Sequence, residues 1–165
     1  MTDAAAPANS EQSNPRGFSL AHQYVKDLSF ENPHASEIVK HRGVAPKFNV
    51  DVNTNNRELG GGAYEVDLVL NATATINDTQ AFIVECVYSG VVVLGSEIVG
   101  NAQLLETALV VETPRLLFPF ARQIVADATS SGGYPPLMLH PINFSALLAQ
   151  KKAAQTGEVK PEVLN

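Results

Sequence analysis

The chain reads as an α+β protein: a four-stranded antiparallel sheet with helices packed on one face. Three observations predict it. Tyr64, Val66, Leu68, Leu70, Ala72, Ala74 and Ile76 alternate with Glu65, Asp67, Asn71, Thr73 and Thr75, the period of a strand with one buried face. A second β-branched and aromatic run, 80–94, follows across Asn77, Asp78 and Thr79, a hairpin turn. After Gly100 the apolar period changes to that of a helix. Sequential strands with short connections, then helices, is the order of an α+β domain.

Taken in order, residues 1–17 are Ala, Asn, Ser, Gln and Pro with few large apolar groups. They bury too little to offset ordering entropy, so a disordered N-terminal tail is expected. Tyr24, Val25, Ser29 and Phe30 favour a strand over 20–30. Phe48, Val50 and Val52 alternate as another, and the triple glycine at 60–62 reads as a turn because it precedes a strand, not a helix. Leu104, Leu105, Ala108, Leu109 and Val111 have helical spacing over 101–112. Thr113 reads as the N-cap of a following helix with Pro114 in its first turn. Pro119 removes a backbone donor, so that helix either kinks there or begins near Phe118. Ser130, Ser131, Gly132 and Gly133 stop it, Pro135, Pro136 and Pro141 enforce an extended connection, and Asn143 caps a last helix through about Gln150. Residues 151–165 read as a flexible C-terminal tail.

Composition narrows the function classes. The chain has 165 residues, one domain's worth, and 45% hydrophobic content sustains a core. A net charge of −6 argues against a nucleic-acid partner and permits a basic protein one. Cys86 is the sole cysteine, so no internal disulfide forms and a reducing cytoplasm is the natural compartment. The start carries no basic n-region or apolar h-region, and the longest aliphatic run, 91–94, is far too short to cross a membrane. His22, His34, His41 and His140 are scattered without metal-ligand spacing, and no nucleophile elbow or phosphate loop is present, so neither metal nor cofactor is expected. Cys86 sits mid-strand with no adjacent base and reads as a packing residue.

Two patterns remain. On an extended strand Asp27, Ser29 and Glu31 share one side, and on another Ile83 and Glu85 share a side opposite Phe82, Val84, Cys86 and Tyr88. If both strands lie in one sheet, its outer face is acidic with an apolar residue inset. A solvated surface is the ordinary reading of such a face. The opposite, apolar side would ordinarily pack on the chain's own helices. From the residues alone, a small oligomeric enzyme or ligand-binding α+β domain with a site at the subunit interface stays open as the alternative.

Three strings decide for a different class. YVKDLSFENP at 24–33, LLFPFAR at 116–122 and YPPLMLHPINFSAL at 134–147 occur in that order, and with them residues 18–150 resemble the SecB protein-export chaperones. The resemblance implies a non-enzymatic holdase that binds unfolded preproteins, keeps them translocation-competent and delivers them to the SecA motor. It implies that Asp27, Glu31, Ile83 and Glu85 contact the basic tail of SecA. It implies a homotetramer, a dimer of dimers, with Val84, Cys86, Tyr88 and Leu104 at the contacts. Its client groove would be lined by Val44, Phe48, Tyr134, Leu137, Phe144 and Leu148. The loop after Pro33 usually carries a tryptophan in this family, whereas this chain has none and offers Gly43, Val44, Ala45 and Pro46. Clients are therefore expected to bind through aliphatic contacts and open sheet edges.

Overall fold

The computed structural model describes residues 17–38, 40 and 43–155. Four strands, β1 (Phe18–Glu31), β2 (Lys47–Gly60), β3 (Ala63–Ile76) and β4 (Thr79–Leu94), form one antiparallel sheet in the order β1-β4-β3-β2. The α+β expectation holds. The β3–β4 turn is built by Asn77 and Asp78, both at positive φ (49° and 62°), the backbone that lets a two-residue turn match strand twist. Gly60, Gly61 and Gly62, at φ 93°, 62° and 80°, make the β2–β3 turn, where a side chain at Gly62 would press into the Leu94 carbonyl. β2 extends well beyond the alternation at 48–52. Its polar stretch through Glu58 is recruited by pairing with β3, a tertiary effect that periodicity does not report.

The helices cover one face. β3 contributes Leu68, Leu70 and Ala72 to the core, β4 contributes Phe82, Val84 and Cys86, and the helix above contributes Leu117, Ala121 and Val125. That helix is continuous in three pieces: α3 (Ala102–Thr107), a wider π segment (Ala108–Glu112) and α4 (Thr113–Ser131). Asn101 caps it, its side-chain oxygen accepting from the Gln103 and Leu104 amides at 3.0 and 3.1 Å. Thr113 corrects the sequence reading. It opens no separate helix; its backbone is helical, and its buried hydroxyl donates to the Ala108 carbonyl at 2.7 Å. Pro114 has no N–H for the carbonyl four residues back, and the widened π turn absorbs the mismatch. Pro119 lies inside α4, so the helix does not begin at Phe118.

Two short helices, α1 (Ala35–Ile38) and α2 (Ser96–Val99), are single turns with too few residues to show a period. The last helix, α5 (Phe144–Gln155), starts where expected, with Asn143 Oδ1 accepting from the Ala146 amide at 3.0 Å. It runs past Gln150 into the segment expected to be flexible, where Lys151 Nζ donates to Asn53 Oδ1 at 3.3 Å. Of the tails expected at 1–17 and 151–165, residues 1–16 and 156–165 lie outside the described residues. β1 is an edge strand with two register shifts, between Leu20 and His22 and between Val25 and Asp27. At each, one residue, Ala21 or Lys26, has no partner on β4, the arrangement of a β-bulge.

Candidate functional site

The helical side carries an open trough of about 600 Å³ at one end of the sheet. Its walls come from the turn after β1 (Asn32, Ile38), the connection into β2 (Val44, Pro46), the end of β3 (Ile76) and the segment after α4 (Gly132, Tyr134). The phenol of Tyr134 fixes these pieces together. It donates to Asn32 Oδ1 at 2.9 Å, with the Ala81 carbonyl 3.1 Å away, while Asn32 Nδ2 donates to the Gly132 carbonyl at 3.2 Å. Burial pushes the Tyr134 pKa up, so the phenol stays a neutral donor. Phe82 lies beneath as the hub of a ring cluster, its centroid 4.9 Å from Tyr134, 5.6 Å from Phe30 and 6.3 Å from Phe48. Gly132 is required here: any side chain on it would collide with the Phe30 ring.

Of the six expected groove residues, Val44 and Tyr134 line this trough and Phe48 stands exposed beside it. Leu137 and Leu148 are half-buried against the core. Phe144 is buried, edge-on to Phe118 at 6.1 Å, and belongs to the core, not to an open surface. Ile38 and Ile76 were missed because neither a single-turn helix nor a strand end marks a trough by periodicity. A second, shallower trough of about 370 Å³ runs between Val50 and Val52 of β2 and Ala146 and Leu147 of α5. The missing tryptophan does not leave the site purely aliphatic, because Tyr134 lines the trough and Phe48 stands exposed beside it.

Among the described residues no helix packs on the opposite face of the sheet, where charged and polar side chains of β1 and β3 gather around apolar residues of β4. Asp27 lies opposite Val87, Ser29 opposite Glu85 and Glu31 opposite Ile83, so Asp27, Glu31, Ile83 and Glu85 share one patch. Ser29 Oγ donates to Glu85 Oε2 at 3.4 Å. Among the described residues, none of these three carboxylates forms a salt bridge. Beside the patch, a network crosses all four strands. The Tyr24 hydroxyl donates to Glu65 Oε1. Lys26 Nζ bonds Glu65 Oε2 at 3.0 Å and Asp67 Oδ2 at 2.8 Å, Arg57 Nη2 bonds Glu65 Oε2 at 2.9 Å, and Ser89 Oγ donates to Asp67 Oδ1 at 2.6 Å. The Tyr24 hydrogen bond, joined by that of Lys26, holds the Glu65 carboxyl at about 2, well below its ordinary 4.5. The hydrogen bond to Glu65 pushes the Tyr24 pKa up, and those to Asp67 and then Glu65 push up that of Lys26.

The expected contact residues divide. Val84, Cys86 and Tyr88 are buried within the chain, in the core cluster that also holds Leu117, Ala121 and Val125 of α4. Burial raises the Cys86 thiol to about 11. Leu104 is 49% exposed, beside Phe18 and Leu116 in an apolar trough of about 390 Å³.

The family model for "Preprotein translocase subunit SecB" matches residues 10–155. The chain belongs to the SecB family. A protein-export protein SecB from Sinorhizobium fredii is 45% identical over 165 residues, covering 99% of this chain and 95% of that one. One from Caulobacter sp. (strain K31) is 39% identical over 163 residues, covering 96% and 98%. The fold is similar to that of a Mycobacterium tuberculosis SecB-like chaperone, Rv1957, solved in complex with a ChAD peptide from the HigA1 antitoxin. The TM-score is 0.63 at 11% identity, covering 76% of this chain and 90% of that one. As a SecB-family member this chain is a protein-export chaperone, and the family implies a non-enzyme. Among the described residues no helix is long and apolar enough to cross a membrane.

Proposed function

We propose that this chain is a cytoplasmic holdase that binds extended segments of unfolded preproteins in the trough under Tyr134 and delivers them to SecA across the acidic outer face. The open apolar trough, with Val44, Ile38, Ile76 and Tyr134 in its walls, carries this reading. A closed pocket with convergent polar groups suits a small substrate, whereas an open apolar trough suits extended chain of varied sequence. Each 100 Å² of client apolar surface covered gives about 2.5 kcal/mol, and only an unfolded client offers such surface, so binding competes with folding by mass action. Asp27, Glu31 and Glu85 give a basic tail three unpaired carboxylates around Ile83, a contact that steers and orients. Leu104 and its apolar surroundings supply the contact for a dimer of dimers.

The test is aggregation suppression of a denatured preprotein, with a folded protein as control. Val44→Asp places a charge on the trough wall at an exposed position, leaving the core intact. It is expected to raise the chaperone concentration needed for half-suppression severalfold. Suppression equal to wild type would place the client elsewhere.

A further inference from the structure

We infer that Lys26 is a positioning residue: its ammonium, clamped by Glu65 and Asp67, holds the β-bulge that turns Asp27, Ser29 and Glu31 onto the outer face. The inference rests on the reading of that face as the dock for a basic partner.

Counting strictly by two from Tyr24, an unbroken strand sends Lys26, Leu28 and Phe30 outward and Asp27, Ser29 and Glu31 into the core side. The register differs. Tyr24 lies opposite Ser89 and faces out, Val25 lies opposite Tyr88 and faces in, and Asp27, not Lys26, lies opposite the next residue, Val87. Lys26 is the extra residue, and from there the parity of the strand is inverted. Two consecutive side chains, Lys26 and Asp27, therefore leave on the same face. One is consumed by the network and the other remains available.

The tether is long by necessity. β4 lies between β1 and β3, so Lys26 reaches Glu65 and Asp67 by crossing over β4, about 10 Å from strand to strand. Only a long side chain closes that gap. Among the described residues of this chain β1 is an edge strand, so no further strand of the same chain braces the bulge, which is held by this tether from outside and by Phe30 from below. The tether also neutralises Lys26, the residue next to Asp27 in the chain.

Lys26→Met keeps the stem and removes the ammonium, while Glu65 retains Tyr24 and Arg57 and Asp67 retains Ser89. Charge and positioning predict opposite signs. Deleting a positive charge makes the face more acidic, so charge alone tightens binding of a basic partner; loss of the bulge weakens it. The expected result, measured with full-length variants against purified SecA at low salt, is about tenfold weaker binding, the loss of roughly one charge-assisted contact. Amide exchange over 26–31 should rise, Lys26→Arg should restore both, and client suppression should stay at the wild-type level. Binding by Lys26→Met equal to or tighter than wild type, with Asp27→Asn weakened, overturns the role of Lys26 and leaves the dock standing. No wild-type binding, or no effect of Asp27→Asn and Glu85→Gln, overturns the dock and the inference with it.

Discussion

Glu65 is 6% exposed on a face where its neighbours meet water, and it is tolerated because three donors converge on it. Its carboxyl is held at about 2 in the folded chain against an ordinary 4.5. A depressed acid contributes stability that is fully present above pH 4.5 and is lost as pH falls through about 2. Glu65→Gln should therefore lower stability at neutral pH by about 2 kcal/mol and flatten the decline of the denaturation midpoint across that acid window. Urea titrations of both proteins between pH 7 and pH 2 check this; parallel curves would mean that the network contributes nothing. The residue was visible in the sequence only as one of the polar alternates of β3. Its partners stand 41, 39 and 8 positions away, and that pairing exists only once the strand order is known.

Among the elements, the helix over 102–131 conflicts most with its own sequence. Pro114 is absorbed by the π segment, whereas Pro119 stands in the exposed interior of α4 with no such relief. Pro119→Ala restores a backbone donor and removes the ring clash. It should stabilise the fold by about 1 to 2 kcal/mol after the loss of proline's restraint on the unfolded chain, read as a higher thermal midpoint. No gain would show that the helix accommodates the proline ring without strain. Sequence reading saw both prolines and separated the helix at Thr113, because propensity cannot show that packing on β4 keeps the axis continuous. β3 and β4 were legible in full, since each buries one side along its whole length. β1 was legible as a strand, and its acidic side was grouped correctly from Asp27 onward, but the bulge that aims that side was not, because period two carries no record of an inserted residue.

At the scale of the whole molecule, the apolar side chains Leu104, Leu116 and Phe120 of the long helix are exposed, and Leu104 and Leu116 line one trough, the kind of surface that marks an interaction site. Leu104→Asp or Leu116→Asp should leave the monomer's stability within about 0.5 kcal/mol, because both sites are exposed, while lowering the mass measured by light scattering from tetramer towards dimer. A wild type that is monomeric at micromolar concentration would refute the assembly. Sequence alone does not separate the roles of Val84, Cys86 and Tyr88, because an apolar strand face looks the same whether a helix of the same chain or a second subunit covers it; in this chain they lie in the core with α4 residues. One further consequence lies in the backbone step from Glu31 to Asn32. Glu31 belongs to the outer patch and Asn32 to the trough wall, so the two surfaces share a covalent joint without sharing area. If the proposed occupants bind these two surfaces, whatever the presence of one does to the affinity of the other must hold equally in reverse. Transfer of cargo becomes a question of how strongly that joint links two occupancies, not of which occupant evicts the other.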